Sequence, residues 1–166
     1  MSADFGPQDR LARVELREDR ARARTPEIQQ ELDVAMHDLG EDNRFRPLPA
    51  GGAGVPPGPY ALGLGMAERQ LALEVTTEEG TLVLAHRMSI TPLRRAIKDY
   101  YVICESYYDA VKRLPPEQIE AIDMGRRGVH DEGARLLLER LEGRVETDHA
   151  TARRLFTVIC ALQFGG

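Results

Sequence analysis

The segment DMGRRGVHDEG, residues 123–133, concentrates side chains that could do chemistry. On a helical wheel Arg126 falls inside an apolar stripe, whereas Asp123, Arg127 and His130 follow a polar face at steps of four and three. Guanidinium groups and an imidazole are well suited to binding an anion or an acidic partner. The pattern therefore predicts a binding site for an anion or a partner, formed by Asp123, Arg126, Arg127, His130 and Glu132.

A structural role for Arg126 is the alternative interpretation. A guanidinium inside an apolar stripe is costly unless a carboxylate meets it, so Arg126 would clamp one helix to another. We expect Glu105, on the preceding helix, to be its partner. Gly125, Gly128 and Gly133 weaken this helix, which a chain tolerates for close packing, a kink or the approach of a ligand. The sequence leaves both roles open.

Metal and cofactor chemistry find little support in the sequence. The histidines are scattered and form no HxxxH or HExxH pattern: His37, His86, His130 and His149. The chain has no GxSxG motif, and its glycine-rich loop lacks the endings typical of phosphate-binding and dinucleotide-binding loops. We predict no metal site and no cofactor, and a catalytic residue is not identified.

The two cysteines, Cys104 and Cys160, each lie within a helical pattern and form no CxxC motif. We expect both to be buried free thiols, with a disulfide or a redox pair as the alternative.

The element that must position these groups is the helix predicted over Ser89–Leu114. Thr91 followed by Pro92 is typical of a helix start, and Thr91 is the predicted N-cap. Apolar residues recur along it at steps of four and three, as expected for the central helix of the fold: Leu93, Ile97, Tyr100, Cys104, Tyr107, Val111 and Leu114.

The rest of the chain predicts an α+β fold. An alternating first strand and a helix starting at Thr25-Pro26 precede a Pro/Gly-rich loop at 46–59. Three alternating strands then form a meander, and three helices follow. We predict an antiparallel sheet of about four strands against three to four helices, in the order β-α-β-β-β-α-α-α, with a further short strand near 144–147 as an option.

One domain over residues 10–166, preceded by a flexible tail at 1–9, accounts for the 166 residues. The loop at 46–59 is interpreted as a connector, and a recognition segment in polyproline conformation is the alternative. The sequence shows neither a signal peptide nor a membrane-spanning run, so a cytoplasmic location is expected.

The formal net charge of −5 argues against a general nucleic-acid binder, although a local basic face is compatible with it. The basic residues are clustered at three places, Arg94-Arg95-Lys98, Arg126-Arg127 and Arg153-Arg154. They are either solvated surface or a hint of anionic partners.

Three long motifs are specific: SITPLRRAIKDYYVICESYYDAV, QIEAIDMGRRGVHDEGARLLLERLEGRVETD and TARRLFTVICAL. On these motifs the chain resembles the alphaproteobacterial uncharacterised protein family numbered two-six-two in the UPF series, from roughly Leu11 to the C-terminus. The resemblance implies a small cytoplasmic bacterial protein and brings no established activity.

The first functional hypothesis is a non-catalytic interaction or regulatory module. It would bind a protein partner or a second copy of the chain through a sheet edge or the 123–133 face. The alternative is a small-molecule enzyme or an anion-binding sensor that uses Arg126, Arg127, His130 and Glu132. An RNA-binding accessory protein is the third hypothesis. A concave site where the arginines and His130 converge would favour the second class, and a flat apolar patch beside an unpaired strand the first.

Overall fold

The computed structural model describes residues 4–18, 24–49 and 54–164. The elements are, in chain order, β1 (Leu11–Arg17), α1 (Pro26–Glu41), β2 (Phe45–Pro47), β3 (Tyr60–Ala67), β4 (Gln70–Thr77), β5 (Leu82–Ser89), a 3-10 turn (Thr91–Leu93), α2 (Arg94–Arg113), α3 (Pro116–Leu141), β6 (Val145–Thr147) and α4 (His149–Gln163). The predicted α+β class is confirmed, and so is the short strand near 144–147.

The main sheet has the strand order β1-β3-β4-β5, and the meander β3-β4-β5 is antiparallel as predicted. The first strand differs from the prediction, because β1 runs parallel to β3. A parallel neighbour needs a long crossover, and α1 with the following segment supplies it. The sheet is therefore mixed.

A second, two-stranded sheet joins β2 to β6. β2 lies at the start of the segment predicted as a loop, where Pro47 ends the pairing opposite Val145. Residues 4–9, predicted as part of a tail, contact this small sheet: Arg46 donates to the carbonyl of Asp4 at 2.8 Å and lies over the ring of Phe5. Residues 1–3 and 50–53 of the predicted tail and loop lie outside the described residues.

Helix α4, rather than α2, is the most buried helix. Nine of its 15 residues are buried, against five of the 20 in α2. The apolar stripe predicted for α2 holds as far as Cys104 and then turns toward solvent, where Val111 is 51% exposed. α4 contacts the main sheet at β3 and packs against both α1 and α3.

Side chains cap two of the four helix starts. Thr25 caps α1 by accepting from the amide of Ile28 at 3.2 Å, and Asp148 caps α4 by accepting from the amide of Thr151 at 3.0 Å. The prediction that Thr91 caps the central helix is wrong. The chain enters α2 through a 3-10 turn, and the hydroxyl of Ser89 accepts from the amide of Thr91 at 3.2 Å.

Cys104 and Cys160 are buried and free, as predicted. Within the described part of the chain, none of the helices has the length and apolar character needed to cross a membrane.

Candidate anion-binding cleft

A cleft of about 330 Å³ opens between α1, α3 and α4. Each helix contributes four residues, and charged side chains predominate: Glu31, Val34, Ala35 and Asp38 from α1, Asp123, Arg126, Arg127 and His130 from α3, and Ala150, Arg153, Arg154 and Thr157 from α4. The spacing within each helix follows one face over about two turns. Three helices thus place four arginines around one concavity.

The inner end of the cleft is organised by Glu31, whose residue is only 9% exposed. Its carboxylate accepts from the hydroxyl of Tyr100 at 2.6 Å and from that of Tyr108 at 2.7 Å. Arg126 donates to both carboxylate oxygens, at 3.1 and 3.2 Å. Burial on its own would raise the pKa of Glu31, but the two phenol hydrogen bonds and the Arg126 charge together lower it. Glu31 is therefore a buried carboxylate anion that ties α1 to α2 and α3.

Arg126 makes further contacts besides those with Glu31. Its guanidinium also donates to Asp123 at 2.9 and 3.1 Å, and it lies 4.2 Å from the ring centroid of Tyr107. The side chain is 21% exposed, in agreement with the expected burial. The predicted partner is wrong, because Glu105 is exposed on α2 and the carboxylates that meet Arg126 belong to Glu31 and Asp123.

The hydroxyl and thiol groups around Glu31 are poor nucleophiles. Burial raises the pKa values of Tyr100 and Tyr108, and their hydrogen bonds to the Glu31 anion raise them further. Burial likewise raises the pKa of Cys104 to about 12. All three groups are protonated near neutral pH, so they act as hydrogen-bond donors rather than as attacking groups.

His130 forms the wall of the cleft next to this network. Its ring lies 5.0 Å from that of Tyr100, and its Nε2 lies 3.1 Å from the hydroxyl oxygen of Thr157. The same hydroxyl lies within hydrogen-bond distance of the carbonyl of Arg153, at 3.3 Å. Burial, followed by the charge of Arg153, lowers the pKa of His130 to about 4. The imidazole is therefore neutral at physiological pH.

The outer part of the cleft holds guanidinium groups with spare donors. The Nε atom of Arg153 is buried and lacks a hydrogen-bond partner among the described residues. The nearest carboxylate oxygen, on Asp131, lies 3.3 Å away as an ion pair without hydrogen-bond alignment. Arg154 donates to the carbonyl of Asp42 at 2.7 Å, and the 69% exposed Arg127 pairs with Asp123 at 3.1 Å. Each of these side chains retains N–H groups for a ligand.

Four of the five sequence-predicted site residues meet in this cleft: Asp123, Arg126, Arg127 and His130. Glu132 does not, because it points away and pairs with Arg135 at 2.6 Å on the exposed side of α3. Two further cleft residues, Glu31 and Asp38 of α1, were not predicted from the sequence. Glu31 lies between Ile28 and Ala35 on the buried face of α1, and a carboxylate in such a stripe is the signal that could have found it.

The sequence shows Arg153 and Arg154 only as a cluster. Their position in the cleft opposite α3 could not be predicted, because it depends on tertiary packing. Among the described residues there is no group of three or more metal-ligating side chains.

The fold and the cleft define a class: an α+β protein with an arginine-lined concavity between three helices. The chain belongs to UPF0262, described as an uncharacterised protein family, whose model matches residues 8–165.

Relatives within this family are similar over nearly their whole length. A UPF0262 protein of Dinoroseobacter shibae is 59% identical over 142 residues, covering 85% of this chain and 89% of the relative. One from Paracoccus denitrificans is 54% identical, covering 93% and 95%, and one from Mesorhizobium japonicum is 50% identical, covering 95% and 94%. No solved structure matches the chain.

Proposed function

We propose that the protein is a non-catalytic binder, or sensor, of a small anion, and that the cleft between α1, α3 and α4 is its binding site. The observation that supports this most directly is made at Arg153, which lines the cleft. Its buried Nε has an ion-pair contact with Asp131 at 3.3 Å but no hydrogen-bond partner in the described chain. A buried donor without a partner costs about 1–3 kcal/mol, and an anion in the cleft would supply the acceptor.

The neighbouring charges support the same assignment. Arg126 is already neutralised by Glu31 and Asp123, so its role is to hold the helices together. Arg127 and Arg153, from two different helices, each contact one carboxylate and have further N–H groups in a side chain that lines the cleft. Two guanidinium groups on separate helices suit a phosphoryl or carboxylate group, which offers several acceptor oxygens.

Binding rather than catalysis is favoured because the cleft has no activated nucleophile among its described residues. The thiol of Cys104 and the phenols of Tyr100 and Tyr108 are protonated donors to a fixed carboxylate. His130 is neutral with a low pKa of about 4, which makes it a weak base at neutral pH. The presence of Arg127 and His130 in one cleft, beside the Arg126 ion pairs, supports this proposal over the interaction module predicted from the sequence.

Thermal unfolding of the full chain in rising inorganic phosphate, at constant ionic strength, tests the proposal. A ligand that binds only the native state raises the melting temperature in a saturable way, and about 2.7 kcal/mol of stabilisation is expected at a hundredfold excess over Kd. We expect Arg153→Met to remove this effect. Arg135→Met is the matched control, because Arg135 is an exposed arginine of α3 outside the cleft, paired with Glu132 and Glu139.

An absent effect with phosphate and sulfate alike would overturn the proposal. So would an equal loss in Arg153→Met and Arg135→Met, because that result would indicate screening of surface charge rather than binding in the cleft.

A further inference from the structure

The cleft holds one charged group that its own arginines leave unpaired. Asp38 lines it from α1, half-buried, and no cation among the described residues lies within ion-pair distance of its carboxylate. The other two carboxylates of the cleft, Glu31 and Asp123, are both bound by arginine. Asp38 thus differs from them although it faces four guanidinium groups.

The unpaired carboxylate of Asp38 affects which ligands the cleft can bind. A simple anion bound by Arg127 and Arg153 would lie in the same small cavity as the Asp38 charge and be repelled by it. A ligand that carries a cation as well as an anion would turn this repulsion into attraction. Repulsion of the wrong ligand is a common source of specificity.

The positions of the charges along α1 indicate where such a cation would lie. Glu31 and Asp38 are seven residues apart on one helix face, which is roughly 10 Å at 1.5 Å per residue. Arg126 fills the Glu31 end. The Asp38 end lies near Arg154, which donates to the carbonyl of Asp42 just beyond α1 and not to Asp38. The Asp38 end of the cleft is therefore where a cationic group of the ligand would find a carboxylate without an ion-pair partner.

We propose that the ligand is a small zwitterion in which a short chain joins an anionic phosphoryl or carboxylate group to an amino group. The anionic group binds between Arg127 and Arg153, and the amino group binds Asp38. Val34, Ala35 and Ala150 provide apolar wall for the short carbon chain. A cleft of about 330 Å³ lies within the size range of small-molecule sites, which is enough for such a molecule. This inference rests on the proposed anion site and specifies its ligand.

Isothermal titration of the full chain with matched pairs of compounds tests the inference. Phosphoethanolamine and ethyl phosphate differ by the amino group, and γ-aminobutyrate and butyrate form the corresponding carboxylate pair. We expect the amino member of one pair to bind at least about tenfold more tightly than its partner, as a cation beside an unpaired carboxylate should. Whichever pair shows the preference identifies the anionic group.

Asp38→Asn should abolish this preference while leaving the binding of ethyl phosphate or butyrate unchanged or tighter. Asp33→Asn is the matched control, because Asp33 is an exposed aspartate of α1 that accepts from Gln29 and does not line the cleft. The control should keep the full preference of the wild type.

Two results would overturn the inference, and they are distinguishable. If both members of a pair bind equally, and Arg153→Met removes both, the anion site stands and the zwitterion assignment fails. If inorganic phosphate and all four compounds fail to bind, the anion site fails together with it.

Discussion

At the scale of single residues, Glu31 shows how a buried charge is accommodated. Its two oxygens receive hydrogen bonds from Tyr100, Tyr108 and Arg126, and the thiol of Cys104 lies 3.7 Å away. Such a charge is tolerated only when its lone pairs are filled. The same network leaves Arg126 with little freedom to bind a ligand.

Replacing Arg126 by methionine should therefore lower stability and not simply weaken binding. We expect Arg126→Met to reduce the free energy of unfolding by about 3 kcal/mol, because it leaves the buried Glu31 charge with only its phenol donors. Urea unfolding measures the change. Arg127→Met, at a 69% exposed position, should cost less than about 0.5 kcal/mol. Equal losses in the two variants would contradict the burial of Arg126.

His130 should make stability depend on pH. Its folded pKa of about 4 lies below the ordinary value of 6.5, so the unfolded chain binds more protons between these values. The free energy of unfolding therefore rises with pH across this window. The contribution of His130 is fully present above pH 6.5 and is lost as the pH falls toward 4, by about 3 kcal/mol in total. Burial lowers the pKa of His86 as well, which adds to the loss in the same direction.

Urea unfolding of His130→Gln at pH 7 and pH 5 checks this prediction. The variant should lose most of the difference between the two pH values, whereas His37→Gln, at an exposed position on α1, should retain it. The interval from pH 7 to 5 lies above the range in which the paired carboxylates titrate, so their contribution is small. A pH dependence unchanged in His130→Gln would mean that folding does not lower the pKa of His130.

At the scale of elements, α3 combines a close helix contact with an open surface. A Cβ atom at Gly133 would lie 2.4 Å from the ring of Phe156 on α4, whereas a Cβ at Gly128 would meet no atom within 4 Å. The first glycine brings α3 and α4 together beside the cleft. The second has no packing role and weakens the helix.

Alanine at these two positions should have opposite effects. Gly133→Ala should destabilise by about 1–3 kcal/mol, because Phe156 is fully buried and cannot move aside cheaply. Gly128→Ala should stabilise by about 0.5–1 kcal/mol through helix propensity. The midpoints of urea unfolding measure both changes. Two changes of the same sign would contradict the described packing of α3 on α4.

Much of this architecture could be predicted from the sequence because the signals are local. Alternation over Leu71–Val75 predicts a strand, and Thr25-Pro26 and Asp148 mark helix starts through contacts three residues away. The parallel direction of β1 could not be predicted, since it depends on how the crossover through α1 returns to the sheet. The partner of Arg126 could not be predicted either, because Glu31 lies 95 residues away in the sequence and only tertiary packing brings the two side chains together.

At the scale of the whole molecule, one core joins the sheet to all four helices. Buried side chains from β1, β3, β4 and β5 belong to the same cluster as those of α1, α2, α3 and α4. The accessibility of the Cys104 thiol to a reagent measures whether α2 is packed in this core, and that of Cys160 does so for α4. The two thiols therefore test whether the helices separate from the sheet independently or together.

We expect both thiols to react with a maleimide only when the whole chain unfolds. Cys160 is fully buried and Cys104 is 1% exposed, so a reagent reaches neither in the native state. Burial also raises the pKa of Cys104 to about 12, which leaves almost no thiolate at neutral pH.

Mass spectrometry of the labelled protein at rising urea concentrations should give the same urea dependence for the two sites, equal to that of global unfolding. The exposed C-terminal half of α2 makes the opposite result informative. If Cys104 reacts at low urea while Cys160 stays protected, α2 opens alone and breaks the hydrogen bonds that Tyr100 and Tyr108 give to Glu31. The inner end of the cleft would then be a locally unfolding part of the molecule rather than a part of one cooperative core.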